Sequence, residues 1–545
     1  MSKKKKNRAK VYARRLLRRL AKSDQRFWLT MGVGLLVIII GVVVYIKKYA
    51  PTKESLSVAE YYGTVTDDEA IVFLNGKKMD PAKNATYGNG IYTGGHAYLE
   101  LAFLKENLDD GYVYDEANGV LRYTTESETI SVNRDETVYS SGRNETEMEA
   151  PILVEEEEAA FVLLDFVEEF TDVNDVTVSE TPARICLETA GYEKTTAVVR
   201  KNTVMRQFGG PKSKIVAELK KKDTVTIVGT AGKWLWVIND DGILGCVKSG
   251  ELKNKQTTTI EARLKEREYQ HISLNESLCV GWNEITVKAD NRNVDSRLSK
   301  TKKVNVVVPT WFGIADNSGA VSNLASMEYV SACHNKDIQV WASVSDSLNQ
   351  DVSTTAVLNN SVARDNLVNN IVAKALAYSI DGVTINFAKV GVESRDGWSQ
   401  FVRELSLKCE NNDLILAVNT GLDNETPQCY NYAVLDNYAD YVFAEMSLEG
   451  YSKAYDTGIT DVMSAAEDTV LESVNPSRLV LGLPLYTRAL NEETGEYSGD
   501  IRSVDAEFLA KHLESMQSKK LAGAAFWRLG VESDGIWEVI SLYMN

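Results

Sequence analysis

Histidine and cysteine are scarce in this 545-residue sequence, and their placement excludes two kinds of chemistry. The four histidines (His96, His271, His334, His512) lie far apart, so a His-based metal site is not expected. The six cysteines (Cys186, Cys246, Cys279, Cys333, Cys409, Cys429) stand singly, with no C-x-x-C pair. That pattern suits neither a zinc framework nor a dense disulfide scaffold and reads as isolated buried thiols. No cofactor is expected. Long apolar runs are also lacking, with one exception near the N-terminus.

That exception is "FWLTMGVGLLVIIIGVVVYI", residues 27–46, which contains no charge. About twenty apolar residues match the thickness of a hydrocarbon core. Phe27, Trp28 and Tyr45 stand near its ends, where interfacial aromatics belong. Residues 1–26 form a basic tail of twelve Lys/Arg and one acid, Asp24, a local charge of +11. The whole chain carries −17, so the remainder carries −28. An acidic body excludes nucleic-acid binding by the main domains. The tail places the N-terminus in the cytoplasm, and "KKYAPTKES" offers no good signal-peptide cleavage site. The expected arrangement is an uncleaved, single-pass membrane anchor with the C-terminal domains outside the cell.

The length calls for several domains. In 58–198 a hairpin is expected at "IVFLNGKKM", with Asn75-Gly76 at its turn, followed by an amphipathic helix at 96–108. "AYLELAFLKEN" from Ala97 returns as "AFVLLDFVEEF" from Ala160, and "VLRYTTE" as "RICLETA". This suggests a duplicated α+β unit. It resembles the stalk-like modules of copper amine oxidases and bacterial surface proteins; with nothing to ligate copper, a spacer is implied. Residues 199–254 alternate short β runs with Gly and Asp turns and resemble a bacterial SH3 domain, which implies binding of wall peptides. Trp234 and Trp236 share one face there, as core or as ligand groove. Residues 255–275 read as helical or linking.

From 276 to 545 strands alternate with helix-period stretches. Eight candidates are "SLCVGW", "VNVVVPTWF", "DIQVWASV", "DGVTINF", "LILAVNT", "DYVFAEM", "RLVLGLPLY" and "GAAFWRL". Eight parallel strands with crossovers predict a (β/α)₈ TIM barrel whose site lies at the C-terminal strand ends. The expected fold is thus multidomain: a transmembrane helix, a stalk-like α+β module, an SH3-like barrel and a TIM barrel.

"VVVPTWFGIADNSGAV", "VWASV", "DGVTINF", "DYVFAEMSLEG", "LVLGLPLYTR" and "FWRLGVES" follow one another in an order that resembles family-18 glycoside hydrolases. The resemblance is to the chitinase-like bacterial branch acting on cell-wall or spore glycans. That family's fourth strand carries D-G-x-x-x-D-x-E: the Glu protonates the leaving oxygen while the substrate's acetamido group attacks, held by the Asp. Here Asp381 and Gly382 match, but Asn386 replaces the Asp and Ala388 the Glu. On the sixth strand the family's M-x-Y-D becomes Glu445, Ser447 and Leu448. The resemblance therefore implies a degenerate site. Glu445 has the parity of the lumen, as a relocated acid or as a structural carboxylate bonded to Asn386 or Thr384. Glu393 and Glu449 are weaker acids by position.

Sugar-binding positions are kept: Trp527 stands where the family places a tryptophan under the −1 sugar, and Trp311, Tyr486 and Arg488 lie on the same rim. Phe312 reads as filler, and Leu490 stands where another aromatic is common. Three functions follow: a membrane-anchored pseudoenzyme binding N-acetylglucosamine-containing cell-wall or chitin-like glycan, a glycosidase using Glu445, or a scaffold for a protein partner.

Overall fold

The computed structural model describes residues 11–15, 18, 25–63, 68–81, 88–180, 182–421, 429–445, 467–490, 497–504 and 506–544. Two compact units emerge, one from residues 1–100 and 167–264, the other from 101–166 and 265–545. The expected 58–198 module is therefore divided, because residues 101–166 group with the C-terminal barrel.

In the first unit an apolar helix spans Gln25–Tyr49. Its 22 residues Trp28–Tyr49, none of them buried in the protein, are long and apolar enough to cross a membrane. At 1.5 Å per residue they extend about 33 Å. The segment after it is not a free linker. Thr52 N donates to Pro211 O, Leu56 N to Ile215 O and Ile215 N back to Glu54 O, each at 2.8 Å. Ser57 and Glu60 then form a capping box on the short helix Val58–Tyr62.

That strap lies on a small antiparallel β domain with strands Glu193–Val199, Thr203–Arg206, Ile215–Leu219, Thr224–Ala231, Trp234–Ile238, Leu244–Lys248 and Leu252–Thr259. Leu235 and Val237 enter its core, joined by Leu56, Val58 and Tyr61 of the strap. Strand alternation puts Trp234 and Trp236 on the other face, half-exposed, so they are not core packing. Pairing continues to Thr259 against Glu193, so 255–259 are strand and not helix or linker. The hairpin at Asn75-Gly76 forms as expected, Leu74 facing Lys77. Both turn residues have positive φ (51° and 74°), the conformation a two-residue hairpin loop requires. His96–Glu100 is a strand leading into the helix Leu101–Asn107, and Ala159–Leu163 leads equally into Leu164–Phe170. The sequence repeat is thus a repeated strand-to-helix step, and the expected helix at 96–108 begins five residues late.

The second unit is a closed parallel barrel. Its strands are β1 (Leu278–Asn283), β2 (Val306–Pro309), β3 (Gln339–Ser345), β4 (Gly382–Asn386), β5 (Ile415–Gly421), β6 (Tyr441–Glu445), β7 (Leu479–Pro484) and β8 (Gly523–Trp527). Each pairs in parallel with its sequence neighbour, β8 returns to β1, and Val306–Val307 pair with Gln339–Val340 between β2 and β3. Around the ring stand α1 (Ser361–Ala377), α2 (Arg395–Glu410) and α3 (Tyr432–Tyr438).

Residues 113–147 form a five-stranded antiparallel meander that packs on these helices. Asp115 caps α1 by accepting from Ser361 N at 2.6 Å. Tyr438 OH of α3 donates to Thr124 O at 3.1 Å. Gln400 Nε2 of α2 bridges Thr124 Oγ1 (2.8 Å) and Glu404 Oε1 (2.9 Å). Glu404 in turn pairs with Arg364 of α1, Nε to Oε2 at 2.9 Å, with the two residues 6% and 1% exposed.

Removing one partner of a buried ion pair strands the other charge. Arg364→Met should therefore destabilise the barrel unit by about 3–5 kcal/mol in a denaturant titration. An unchanged midpoint would show that Glu404 can reach water or a proton without the guanidinium.

Candidate functional site

Strand alternation divides the barrel residues into two sets. Val383, Ile385 and Phe387 point outward into the layer between sheet and helices. The inner set forms the floor of the lumen: Trp282, Trp341, Ile415, Ala417, Tyr441, Phe443, Val480 and Ala525. Trp341 stacks on Tyr441 with ring centroids 5.4 Å apart. This floor is apolar and buried.

Toward the C-terminal ends the same inward parity brings up polar groups. Ser343 of β3 faces Thr384 of β4 in register. One step along, Asn419 of β5 donates through Nδ2 both to Asn386 Oδ1 (3.0 Å) and to Glu445 Oε2 (2.6 Å). Asn419 thus links Glu445 to Asn386. Close approach of β6 and β7 requires Gly482, since a Cβ there would lie 2.6 Å from Glu445 Cα. Ser343 Oγ, Thr384 Oγ1 and Asn419 Oδ1 are buried and have no hydrogen-bond partner among the described residues. They lie beneath the accessible surface of the lumen, Ser343 and Thr384 being fully buried.

Ala388 lies just past β4 and is exposed. Its N–H and that of Lys389 both donate to the fully buried carboxylate of Asp346, each at 2.8 Å, and Thr354 Oγ1 donates to it at 2.9 Å. Asp346 follows β3 directly, a position that strand-end reasoning could have singled out. Asp381 stands elsewhere: it precedes β4, accepts from Val340 N at 2.7 Å and meets His334 Nε2 at 2.9 Å. It is at the opposite end of the strand from the mouth.

Trp527 and Tyr486 are brought together, Trp527 Nε1 donating to Tyr486 OH at 3.1 Å. Trp527 is half-exposed and meets Trp282 edge-on at 5.5 Å. Arg528, not anticipated, holds its guanidinium 5.8 Å from the Tyr486 ring centre and pairs with Glu284 at 2.6 Å. Trp311 departs from expectation. Its indole is fully buried, donates to Asn291 Oδ1 at 2.8 Å and packs edge-on to Tyr329. β2 ends at Pro309, so Trp311 lies past the strand, where the chain has turned into the core. Phe312 is buried in the layer between sheet and helices. Glu393 is exposed in the turn Val392–Ser394. Ser447, Leu448 and Glu449 lie outside the described residues, as do the side chains of Arg488 and Leu490. Among the described residues no group of three His, Cys, Asp or Glu could hold a metal ion.

Core and mouth tryptophans should respond differently to truncation. Trp311→Ala should cost about 3–5 kcal/mol of stability in a denaturant titration, besides leaving Asn291 without its donor. A loss of less than about 1 kcal/mol would return Trp311 to the rim.

Residues 282–527 match the family model "Glycosyl hydrolases family 18". A Bacillus subtilis protein, YdhD, named as an inferred sporulation-specific glycosylase, is 27% identical over 186 residues. The alignment covers 32% of this chain and spans only 44% of that relative's length. Among solved structures, the chitinase of Chromobacterium violaceum is 16% identical, with a TM-score of 0.40, covering 49% of this chain and 98% of that one. The spore cortex-lytic enzyme SleL of Bacillus megaterium is 14% identical, with a TM-score of 0.41, covering 53% and 77%. Residues 282–527, the barrel of this chain, therefore carry a family-18 glycosyl hydrolase fold.

Proposed function

We propose that the barrel binds N-acetylglucosamine-containing wall glycan without cleaving it, and that the apolar helix tethers it to the cell membrane. The carrying observation is Ala388. Substrate-assisted hydrolysis needs an acid that protonates the leaving oxygen. A methyl group cannot donate that proton, and Asn386 cannot offset developing positive charge as a carboxylate would. Glu445, the one inward carboxylate at this level among the described residues, is engaged by the Asn419 amide.

Features that suit binding remain. The exposed part of Trp527 offers a flat apolar face to a pyranose, with the indole N–H fixed by Tyr486. The names of YdhD and SleL, a glycosylase and a cortex-lytic enzyme, support wall glycan as the ligand class. The basic tail before the helix supports a cytoplasmic N-terminus with both folded units outside.

Calorimetric titration of N-acetylglucosamine oligomers into the full chain in nanodiscs should give finite, saturating heats and unshortened oligomers. Trp527→Ala should weaken that binding by about 1–3 kcal/mol; unchanged affinity would remove the Trp527 surface from the site. Sustained heat with shortened products would instead make the chain a glycosidase and direct mutation to Glu445. No heat at all would favour other wall glycans or a protein partner.

A second substitution probes the chemistry. Ala388→Glu alone should restore little turnover, measured by reducing-end release, because Asn386 still cannot stabilise the charged intermediate. Robust release from that single change would mean that the Asn386 position contributes less than proposed here.

A further inference from the structure

The end of the apolar helix and the outer face of the small β domain meet at one level. Lys212 Nζ donates to Lys47 O in the last turn of the helix at 2.6 Å. Thr52 N donates to Pro211 O, and Arg206 Nη1 donates to Thr52 O at 3.2 Å. The loop 207–214 is thereby fixed against the point where the helix ends.

What that loop displays is unusual for a surface facing water. Phe208 is 59% exposed at its tip. Its ring meets Trp236 edge-on at 6.4 Å, and Gly209 lies against Trp234. Lys248 Nζ stands 5.6 Å over the Trp234 ring. Pro51, two residues beyond the helix, shares with Trp234, Arg206 and Lys248 a small cavity of about 130 Å³. On the helix side Tyr45 and Tyr49 are exposed beside Lys47 and Lys48. Aromatic rings interleaved with lysines are the composition of a membrane–water interface, where rings sit among headgroups and ammonium groups meet phosphates.

We propose that the face formed by Phe208, Trp234, Trp236, Lys212 and Lys248 rests in the lipid headgroup layer, so that the β domain is seated on the membrane and not held off it by a linker. The proposal rests on the reading of the helix as a membrane span. The strap 51–57 is too short and too fully bonded to lift the domain away. Exposure of the apolar Phe208 beside that exit is then a contact and no longer a cost.

Cysteine-labelled full chains in phosphatidylcholine/phosphatidylglycerol vesicles test both layers of the inference. One fluorophore is placed at Val37→Cys in the helix, one at Phe208→Cys, and one at Lys221→Cys. Lys221 is exposed just past the far end of the strand Ile215–Leu219, about 16 Å along it at ~3.3 Å per residue. The unsubstituted chain, treated with the same reagent, gives the background from native thiols. Lipid-borne quenchers should strongly quench positions 37 and 208 and leave 221 bright. Quenching at 37 with 208 as bright as 221 would overturn the seating while leaving the span intact. Equal quenching at 208 and 221 would overturn it as well, since the domain would then have no preferred face. A bright label at 37 would overturn the span and the seating together. A label at 208 shielded by a soluble muramyl peptide, yet untouched by lipid quenchers, would assign the face to wall peptide instead.

Discussion

The pairing of Val306–Val307 with Gln339–Val340 closes the ring of eight strands, and the rest of the C-terminal unit depends on that closure. An open sheet has two faces that both need covering. A closed one has an inside, and the two-residue period of each strand then decides which side chains occupy it. Trp341, Tyr441 and Phe443 fill the floor because they share parity around the ring. Asn386, Asn419 and Glu445 meet above that floor for the same reason. The site is a consequence of register before it is a consequence of chemistry.

The meander at 113–147 belongs to the barrel energetically, although 265 lies far from it in sequence. Its Thr124 supplies an acceptor for Gln400, and Gln400 helps hold the Glu404 carboxylate that neutralises Arg364. Each group in that chain is buried and would be costly alone; together their hydrogen-bonding needs are largely met. Buried networks of this kind favour one docking geometry over others of similar apolar area. That gives a physical reason for the chain to divide at 100/101 and 166/167, inside a sequence repeat, and not at the repeat's edges.

Local pattern was legible wherever the physics is local. All eight barrel strands were readable from apolar runs bounded by turns, and the Asn75-Gly76 hairpin from its turn residues. Strand alternation is likewise local: Glu445 shares its inward parity with Tyr441 and Phe443. What could not be read depends on contacts distant in sequence or on the ends of strands. Trp311 is buried and not on the rim because β2 stops at Pro309, two residues short of the strand end at which it was expected to stand. Asp381 precedes β4, at the end away from the mouth, and its partners Val340 and His334 are more than forty residues distant in sequence. The strap 51–57 is held by backbone hydrogen bonds to the strand at Ile215, partners distant in sequence that no local pattern announces. The assignment of 101–166 to the barrel rests on partners some 250 residues away.

The turn after β4 is held by its backbone and not by the side chain at position 388. Asp346 accepts the N–H groups of Ala388 and Lys389, and Tyr430 OH donates to Phe387 O at 2.7 Å. These bonds grip the backbone of residues 387–389 and make no use of the side chain at 388. An acid at that position would add reactivity without adding to the packing. With alanine at 388 the turn is held through its backbone, and the Trp527–Tyr486 pair is in place. Fold and side-chain chemistry thus reside in different atoms of the same turn.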